Sequence, residues 1–396
     1  MYSVFCRVYQ FIFRVFSYVL PFRKPTIIDS TTKLPEVAKQ AGLTHLIIIT
    51  DKILVSLGLM DSMLAAFEEQ DLKFTVYDKT VPNPTIDNIE EALGIYKNGG
   101  CDGIVAFGGG SSIDCAKGVA ARVARPNKPI PKMKGVLKVL HRTPPLFAIP
   151  TTSGTGSEAT LAAVITNSKT HEKYAINDTA LIPHYAVLDP NLTLGLPQHI
   201  TSTTGMDALT HAIEAYIGNS NTKETKKMSE DAIRLIFDNV YTAYTNGSDY
   251  NARENMQKAS YYAGIAFTRA YVGNVHAIAH TLGGFYNTPH GLANAVILPY
   301  VLTAYGASAH RKLAELEQLV AGPDSQGTEE ERANRFIDRI IELNNEMNIP
   351  SKIEGINEKD IPLMVERAFH EANPLYPVPK IFTRQDFTKI YHEIME

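Results

Sequence analysis

Cysteine is scarce in this chain: only three of its 396 residues are cysteine and none forms a Cys-x-x-Cys pair, which predicts reduced thiols and a cytoplasmic location. Clusters of lysine and arginine are also missing and the net charge is -4, so nucleic acid is not an expected partner. No internal repeat or long linker interrupts the sequence. With 20% charged and 44% hydrophobic residues, the composition is typical of a soluble globular enzyme, and the length suits two domains.

Acidic residues are absent before Asp29, and residues 1–20 are strongly apolar. The polar residues of this segment recur at steps of four and three, which predicts a helix with one narrow polar stripe. The stripe consists of Ser3, Arg7, Gln10, Arg14 and Ser17. Two arginines make a membrane span costly, and the cleavage site of a signal peptide is missing. We expect residues 1–24 to be an amphipathic extension packed on the protein or on a partner subunit. A membrane-surface anchor and a mitochondrial-type targeting segment are the alternatives, in that order.

From residue 44 onward, short apolar runs alternate with longer amphipathic segments, which is the pattern of a parallel sheet flanked by helices. The predicted strands are 45–50, 73–78, 103–107, 146–149, 162–166 and 185–189, with helices at 60–70 and 86–97. After Pro197 the strand signals stop. The predicted helices there are 200–217, 223–245, 251–270, 274–286, 292–305, 311–320, 329–347 and 361–368. The sequence thus predicts an α/β fold with a parallel-sheet, dinucleotide-binding domain over residues 25–197 and an all-helical, metal-binding domain over residues 198–396.

Two glycine-rich loops follow predicted strands, at the sheet edge where α/β proteins bind ligands. In residues 108–117, GGGSSIDCAK, the glycines and the start of a helix could hold a phosphate. The alternative is a tight turn with a capping box of Ser111 and Asp114. Residues 154–159, GTGSEA, match the G-x-G-x-x-A dinucleotide pattern, with Asp178 at about the right distance. This second match is weak, because short strands are predicted where the pattern requires a long helix.

Asp51 directly follows the first predicted strand. A carboxylate at this place can accept hydrogen bonds from the ribose of NAD, and it would repel the 2′-phosphate of NADP. The alternative is that Asp51 only caps the next helix.

Histidine and aspartate are concentrated in two helical blocks. Asp207 and His211 are four residues apart, as are His276 and His280, so each pair shares a helix face, and His290 follows a break that could fold it back. Imidazole and carboxylate groups are ligands for a divalent metal, but a catalytic site takes three or four protein ligands. One of the five residues is therefore expected not to be a ligand. Core packing is the alternative for either pair taken by itself.

The segments GMDALTHAIEAYI and VHAIAHTLGGFYNTPHGLANAVILP resemble the two signature blocks of the iron-containing (group III) alcohol dehydrogenases. The resemblance extends from about Lys24 to the C-terminus. It implies that the metal ligands are Asp207, His211, His276 and His290. His280 then matches the histidine that is not a ligand, close enough to contact substrate or relay a proton. Fe(II) is favoured by the resemblance, with Zn(II) possible, and a homodimer or larger homo-oligomer is expected.

The same resemblance implies NAD as cofactor, held by the GGGS loop and the Thr-Thr pair, and it favours ribose recognition by Asp51. The further cofactor neighbours that it implies are Asn83, Gly110, Ser111, Thr151, Thr152, Thr160, Ala162, Lys173, Leu192, Gly195 and Leu196.

The expected activity is the interconversion of primary alcohols, or small diols, and aldehydes, at a site between the two domains. A divalent metal would act as a Lewis acid on the alcohol oxygen, and the cofactor would carry the hydride. The alternatives are a hydroxyacid–oxoacid transhydrogenase that retains its nucleotide, another metal-dependent member of the glycerol dehydrogenase and dehydroquinate synthase superfamily, or a non-enzymatic assembly or membrane protein that depends on residues 1–20. Measuring NADH formation with a panel of short alcohols separates these possibilities.

Overall fold

The computed structural model describes residues 2–17, 20, 22–169, 172–322 and 325–396. The chain forms two compact units. We call Pro21–Gly195 the sheet unit, and Met1–Leu20 together with Leu196–Glu396 the helical unit. The parallel sheet of the first unit and the helices of the second confirm the predicted fold class.

The helices and strands are numbered in chain order over the described residues. The helices are α1 (Tyr2–Ser17), α2 (Leu34–Gln40), α3 (Lys52–Ser56), α4 (Asp61–Glu69), α5 (Ile86–Gly99), α6 (Gly110–Ala124), α7 (Gln198–Ile217), α8 (Lys223–Thr245), α9 (Tyr250–Ala270), α10 (Asn274–Tyr286), α11 (His290–Tyr305), α12 (His310–Ala321), α13 (Glu329–Glu346), α14 (Ile361–Ala372) and α15 (Arg384–Ile394). The strands are β1 (Thr26–Ile28), β2 (His45–Ile49), β3 (Lys73–Tyr77), β4 (Gly103–Gly108), β5 (Gly135–Val136), β6 (Leu146–Pro150), β7 (Ala162–Asn167), β8 (Glu172–Asn177) and β9 (Tyr185–Val187).

Six parallel strands form the main sheet of the sheet unit, in the order β1-β9-β6-β4-β2-β3. The central strand β4 is buried along its whole length, as expected when helices cover both faces of a parallel sheet. The chain leaves β2 toward β3 on one side and leaves β4 toward β6 on the other side. A crevice therefore opens between the carboxyl ends of β2 and β4, the usual ligand site of such a sheet.

A second, three-stranded sheet was not predicted as a sheet. It has the order β5-β8-β7, with β7 and β8 antiparallel. Tyr174 and Ile176 are buried and alternate with less buried residues in β8, which is the period of a half-buried strand, but the run is short. The prediction for residues 185–189 was also too long, because β9 ends at Val187 and Asp189 caps the 3-10 turn that follows.

All regular elements after Pro197 in the described part of the helical unit are helices, as predicted. α11 is apolar around its circumference and most of its residues are buried, so it is packed among other helices. α15 was missed, although Phe387, Ile390 and Ile394 have helical spacing and Thr383 forms a capping box with Asp386. The helix predicted over residues 292–305 begins two residues earlier than expected, because His290 is the first residue of α11.

α1 is helical, as predicted, and its polar stripe faces the helical unit. Arg7, Gln10 and Arg14 donate hydrogen bonds to main-chain carbonyl groups of that unit. The side chain of Ser17, the last predicted member of the stripe, lies outside the described residues. The apolar side chains of the opposite face are each more than half exposed: Val4, Phe5, Val8, Phe11, Ile12 and Val15. Among the described residues, no helix is both long and apolar enough to cross a membrane.

Candidate metal centre and dinucleotide loops

Three helices of the helical unit bring the four predicted metal ligands together. Asp207 and His211 lie one turn apart on the buried helix α7, His276 lies in the first turn of α10, and His290 begins α11. One ligand atom from each of the four residues lies within 4.8 Å of all the others. Asp207 Oδ1 is 3.9 Å from His276 Nε2 and 3.7 Å from His290 Nε2.

This group fits a divalent metal in both composition and spacing. Ligand atoms about 2.1 Å from a tetrahedral ion lie roughly 3.4 Å from one another, close to the separations between Asp207 and two of the histidines. One carboxylate and three imidazoles suit Fe(II) or Zn(II) by ligand type. Burial and the neighbouring His211, His290 and His280 hold the pKa of His276 well below its usual range. His276 is therefore neutral, as a metal ligand must be.

Glu214, one turn beyond His211 on α7, supports His276 from behind. Its carboxylate accepts hydrogen bonds from the N–H groups of Gly273 and Val275 and from His276 Nδ1, at 2.7, 2.8 and 2.6 Å. The same side chain thus caps α10 and fixes the imidazole so that Nε2 points toward Asp207. Burial raises the pKa of Glu214 to about 8, whereas the three donors act in the opposite direction. Carboxylates in this position orient metal-binding histidines in many proteins.

Asn294 contacts the same centre from α11, one turn after His290. Its Nδ2 donates to Asp207 Oδ1 at 2.7 Å and lies 3.2 Å from Nε2 of both His276 and His290. The amide therefore holds the Asp207 carboxylate in place.

His280 lies beside the centre, and the carboxylate of Glu371 binds its ring. Its ring stacks on that of His290, with ring centroids 5.2 Å apart, and its Nδ1 is 2.5 Å from Glu371 Oε1 on α14. The hydroxyl of the buried Tyr376 donates to the same Glu371 oxygen at 2.9 Å. With Nδ1 bound to Glu371, Nε2 is the ring atom of His280 that can exchange a proton with a substrate.

Among the described ligands and their neighbours, the exposed side chains are those of His280 and His290. The side chains of Asp207 and His276 are 3% exposed, whereas those of His290 and His280 are 34% and 35% exposed. A small substrate can therefore reach the group past His280 and His290, while the other side is closed by packed helices.

The first glycine loop ends β4 and begins α6 in the sheet unit. Gly108 has φ of 146°, and a Cβ atom there would lie 2.5 Å from Ser112 Oγ, so only glycine fits. The capping box proposed for Ser111 and Asp114 is wrong, because no side chain caps α6. Ser111 Oγ instead accepts a hydrogen bond from the Asn83 N–H, and Asn83 Oδ1 accepts one from Lys173. Three of the predicted cofactor neighbours are thus mutually connected.

The second glycine loop is held by a buried lysine on α6. Lys117 Nζ donates to Ser157 Oγ, to both oxygens of Thr160 and to the Ala162 carbonyl, at 2.8 to 3.1 Å. Ser157 in turn donates to the partly buried Asp114. Burial lowers the pKa of Lys117 to about 8 and raises that of the nearby Glu158 carboxyl to about 7. A 3-10 turn and β7 follow this loop, which confirms that it is not a standard dinucleotide fingerprint.

Most of the other predicted cofactor neighbours follow strands of the main sheet. Asp51 follows β2, and its Oδ1 accepts from the N–H groups of Ile53 and Leu54, so it caps α3. Thr151 and Thr152 follow β6, and Leu192 and Gly195 follow β9. Leu196 belongs to the helical unit. Asp178, the acidic residue of the weaker dinucleotide pattern, is buried and accepts from the N–H groups of Val139 and Leu140.

Sequence reasoning missed the residues that support the centre. Glu214 and Asn294 could have been found, because each lies three or four residues from a predicted ligand on the same helix. Glu371 and Tyr376 gave no such signal, since they are about 90 residues from His280 along the chain.

A cluster of one carboxylate and three imidazoles, in a chain that also places glycine loops at the edge of a parallel sheet, defines a metal-dependent dehydrogenase. Two family models match the chain: iron-containing alcohol dehydrogenase over residues 27–190, and the C-terminal part of the Fe-containing alcohol dehydrogenase family over residues 201–395. The chain belongs to this family.

Individual relatives agree with the family models. Alcohol dehydrogenase 4 of Schizosaccharomyces pombe is 40% identical over 353 residues, which cover 87% of this chain and 82% of the relative. The crystal structure of a 1,3-propanediol oxidoreductase has a TM-score of 0.90 at 33% identity and covers 95% of this chain and 100% of its own. Sulfoacetaldehyde reductase from Bifidobacterium kashiwanohense, in complex with NAD+, has a TM-score of 0.83 at 27% identity, covering 95% and 98%. The protein is a metal-dependent, NAD-linked oxidoreductase that interconverts alcohols and aldehydes.

Proposed function

We propose that Asp207, His211, His276 and His290 hold the metal and that the substrate is a small primary alcohol or diol. The ligand assignment rests on one observation: one ligand atom from each of the four residues lies within 4.8 Å of the other three. The substrate class rests on the relatives, among them 1,3-propanediol dehydrogenase of Citrobacter freundii, which is 36% identical over 389 residues. When bound, the metal supplies Lewis acidity toward an alcohol or carbonyl oxygen, and NAD supplies the hydride acceptor.

The residues of the chain then have separate roles. Glu214 orients His276, and Asn294 orients the Asp207 carboxylate. His280 exchanges the hydroxyl proton of the substrate through Nε2, because Glu371 occupies its Nδ1. Its partial exposure places it on the open side of the centre, where a substrate arrives.

The dinucleotide, in the same proposal, binds in the crevice between the carboxyl ends of β2 and β4. The GGGS loop lies on one side of this crevice and Asp51 on the other. Gly110 and Ser111 begin α6, whose N-terminus favours a phosphate. The Asp51 cap uses Oδ1 for both of its bonds, so Oδ2 is available to a ribose hydroxyl. The remaining predicted neighbours, including Thr151, Thr152 and Lys173, stay predictions.

The ligand assignment is tested by His211→Ala. This variant should lose bound metal in elemental analysis and should no longer form NADH from NAD and a short alcohol. A full complement of metal in the variant would show that His211 is not a ligand. The transhydrogenase alternative is tested on the wild type, because an enzyme of that kind would keep its nucleotide through gel filtration and would need an oxoacid for turnover.

The exposed face of α1 supports a contact with a lipid surface. Six large apolar side chains form this face, as on a helix that lies in a membrane surface. A free apolar strip of this length is unusual on a soluble protein. The homodimer or larger assembly expected from the resemblance stays a prediction.

A further inference from the structure

The segment between α14 and α15 contains residues 374–379, which we call the proline loop. Its sequence, Pro-Leu-Tyr-Pro-Val-Pro, includes three prolines. Proline has no N–H group and an irregular segment has no ladder partner, so the carbonyl groups of the loop need donors from other parts of the chain.

Donors for the proline loop come from α1. Arg7 donates to the carbonyl groups of Val378 and Pro379, both at 2.7 Å. Gln10 Nε2 donates to the carbonyl groups of Pro374 and Tyr376, at 3.1 and 2.8 Å. Arg7 and Gln10 are also hydrogen-bonded to each other, and we call these two residues the α1 donors.

A second contact supports the same arrangement from the end of α7. The Asn219 side chain donates to the Val378 carbonyl at 3.1 Å, and its N–H donates to the Pro377 carbonyl at 2.7 Å. Arg14 of α1 donates to the carbonyl of Asn219 at 3.1 Å. The polar stripe of α1 thus bonds to the proline loop directly and through Asn219.

The proline loop carries Tyr376, whose buried side chain reaches the carboxylate that binds His280. The Tyr376 hydroxyl donates to Glu371 Oε1, the same oxygen that binds His280 Nδ1. Each step from Gln10 through Tyr376 and Glu371 to His280 is therefore a hydrogen bond of 2.9 Å or less.

We infer that α1 is a positioning element for His280, acting through the proline loop, Tyr376 and Glu371. The inference rests on the proposed role of His280 in proton exchange. The polar stripe of α1 therefore positions His280, whereas the apolar face of the same helix is proposed to contact lipid. Arg7, Gln10, Tyr376 and Glu371 are positioning residues in this inference, because each of them acts through His280.

Single-turnover NADH formation at saturating NAD and 1,3-propanediol measures the effect on His280. Arg7→Ala combined with Gln10→Ala should slow this rate about 10-fold, a fraction of what a general acid-base group supplies. Metal content and the Kd for NAD should not change. Val8→Gln combined with Phe11→Gln changes the opposite face of the same helix and should retain the wild-type rate. An unchanged rate in the Arg7 and Gln10 variant would overturn the inference.

Tyr376→Phe distinguishes positioning from general stabilisation, because it removes only the hydroxyl that reaches Glu371. Tyr376→Phe should slow the rate by a similar factor. Combining Tyr376→Phe with the Arg7 and Gln10 variant should cause little further loss, because both changes act through the hydrogen bond from Tyr376 to Glu371. Multiplicative losses would mean that α1 acts by another route, against the inference. Arg7→Lys keeps a cationic donor and should recover part of the rate lost in Arg7→Ala.

Hydrogen exchange tests the structural step without any reference to catalysis. Peptides that cover the proline loop should exchange faster in the Arg7 and Gln10 variant than in the wild type, and unchanged exchange would overturn the inference. His280→Ala should slow turnover by at least ~10²-fold while metal is retained. If His280→Ala leaves the rate unchanged, the proposed role of His280 fails, whereas faster exchange would still show that α1 holds the loop.

Discussion

Glu214 does two things with one side chain: it closes the N-terminus of α10 and fixes the tautomer of His276. Both depend on the two carboxyl oxygens, which accept hydrogen bonds from three donors. A glutamine in its place would turn an amide N–H toward one of the three donors. The imidazole would then lose its orientation even though the shape of the side chain is nearly preserved.

Glu214→Gln should therefore weaken metal binding by about 10- to 100-fold. Competition with a chromogenic chelator measures the metal Kd directly, so the readout does not depend on turnover. Glu254→Gln, which changes a partly exposed carboxylate on α9, is the matched control and should leave the Kd unchanged. Equal metal affinity in the wild type and Glu214→Gln would exclude an orienting role for Glu214.

Asp51 combines a structural and a proposed recognition role, and two substitutions separate them. Asp51→Gly should raise kcat/KM for NADP relative to NAD by at least ~10-fold, equivalent to roughly 1.4 kcal/mol. Asp51→Asn keeps a good cap for α3 but removes the charge. Both variants should shift the preference if repulsion of the 2′-phosphate decides it. A shift in the glycine variant alone would point to a loosened loop, and no shift in either would leave Asp51 as a cap only.

Site residues that share one face of a helix could be predicted from the sequence. Site residues that meet only through tertiary packing could not. The two i, i+4 pairs led to Asp207, His211 and His276, because 3.6 residues per turn place such pairs together whatever surrounds them. His280 and Glu371 meet only because α10 packs on α14. Such a contact has no local pattern, and it could not be predicted from one sequence.

Among the elements, α6 and the loop after β6 depend on Lys117. A fully buried lysine costs a large desolvation energy, which is offset here by four acceptors and by the nearby carboxylate of Asp114. The sequence contained no sign of this role, since Lys117 lies within GGGSSIDCAK as an ordinary residue of a predicted helix.

Lys117→Met should lower the free energy of unfolding by about 3 kcal/mol, because buried acceptors lose their donor. It should also raise the Kd for NAD, since Thr151, Thr152 and Thr160 belong to the segment that Lys117 holds. Denaturant unfolding and fluorescence titration with NADH measure the two effects. Lys97→Met, at an exposed position on α5, is the control. A fully stable Lys117→Met variant would mean that the loop folds correctly without the lysine.

Element prediction was most reliable where the hydrophobic period was long. α8 and α10 begin and end at the predicted residues, because their apolar stripes run over several turns. β8 and the short helices α2 and α3 were missed, because a strand or helix of five to seven residues contains too few repeats of its period.

For the whole molecule, α1 reverses the usual arrangement of an amphipathic helix. A helix on a globular protein normally buries its apolar stripe and exposes its polar one. In α1 the polar stripe faces the protein, because its side chains donate hydrogen bonds to carbonyl groups of the helical unit. Most of these carbonyl groups belong to the proline loop, which is poor in N–H donors. The apolar face is consequently left on the outside, although its period in the sequence is unmistakable.

A lipid surface is the occupant proposed for that face, and anionic liposomes test it. Val8→Gln combined with Phe11→Gln should reduce partition onto such liposomes by at least ~10-fold, since each buried apolar side chain contributes about 1.5–3 kcal/mol. Ile341→Gln, at another exposed apolar position, should have no effect. If the double variant instead lowers the mass of the protein in solution and leaves liposome partition unchanged, a second copy of the chain covers the face of α1 and the lipid proposal is wrong.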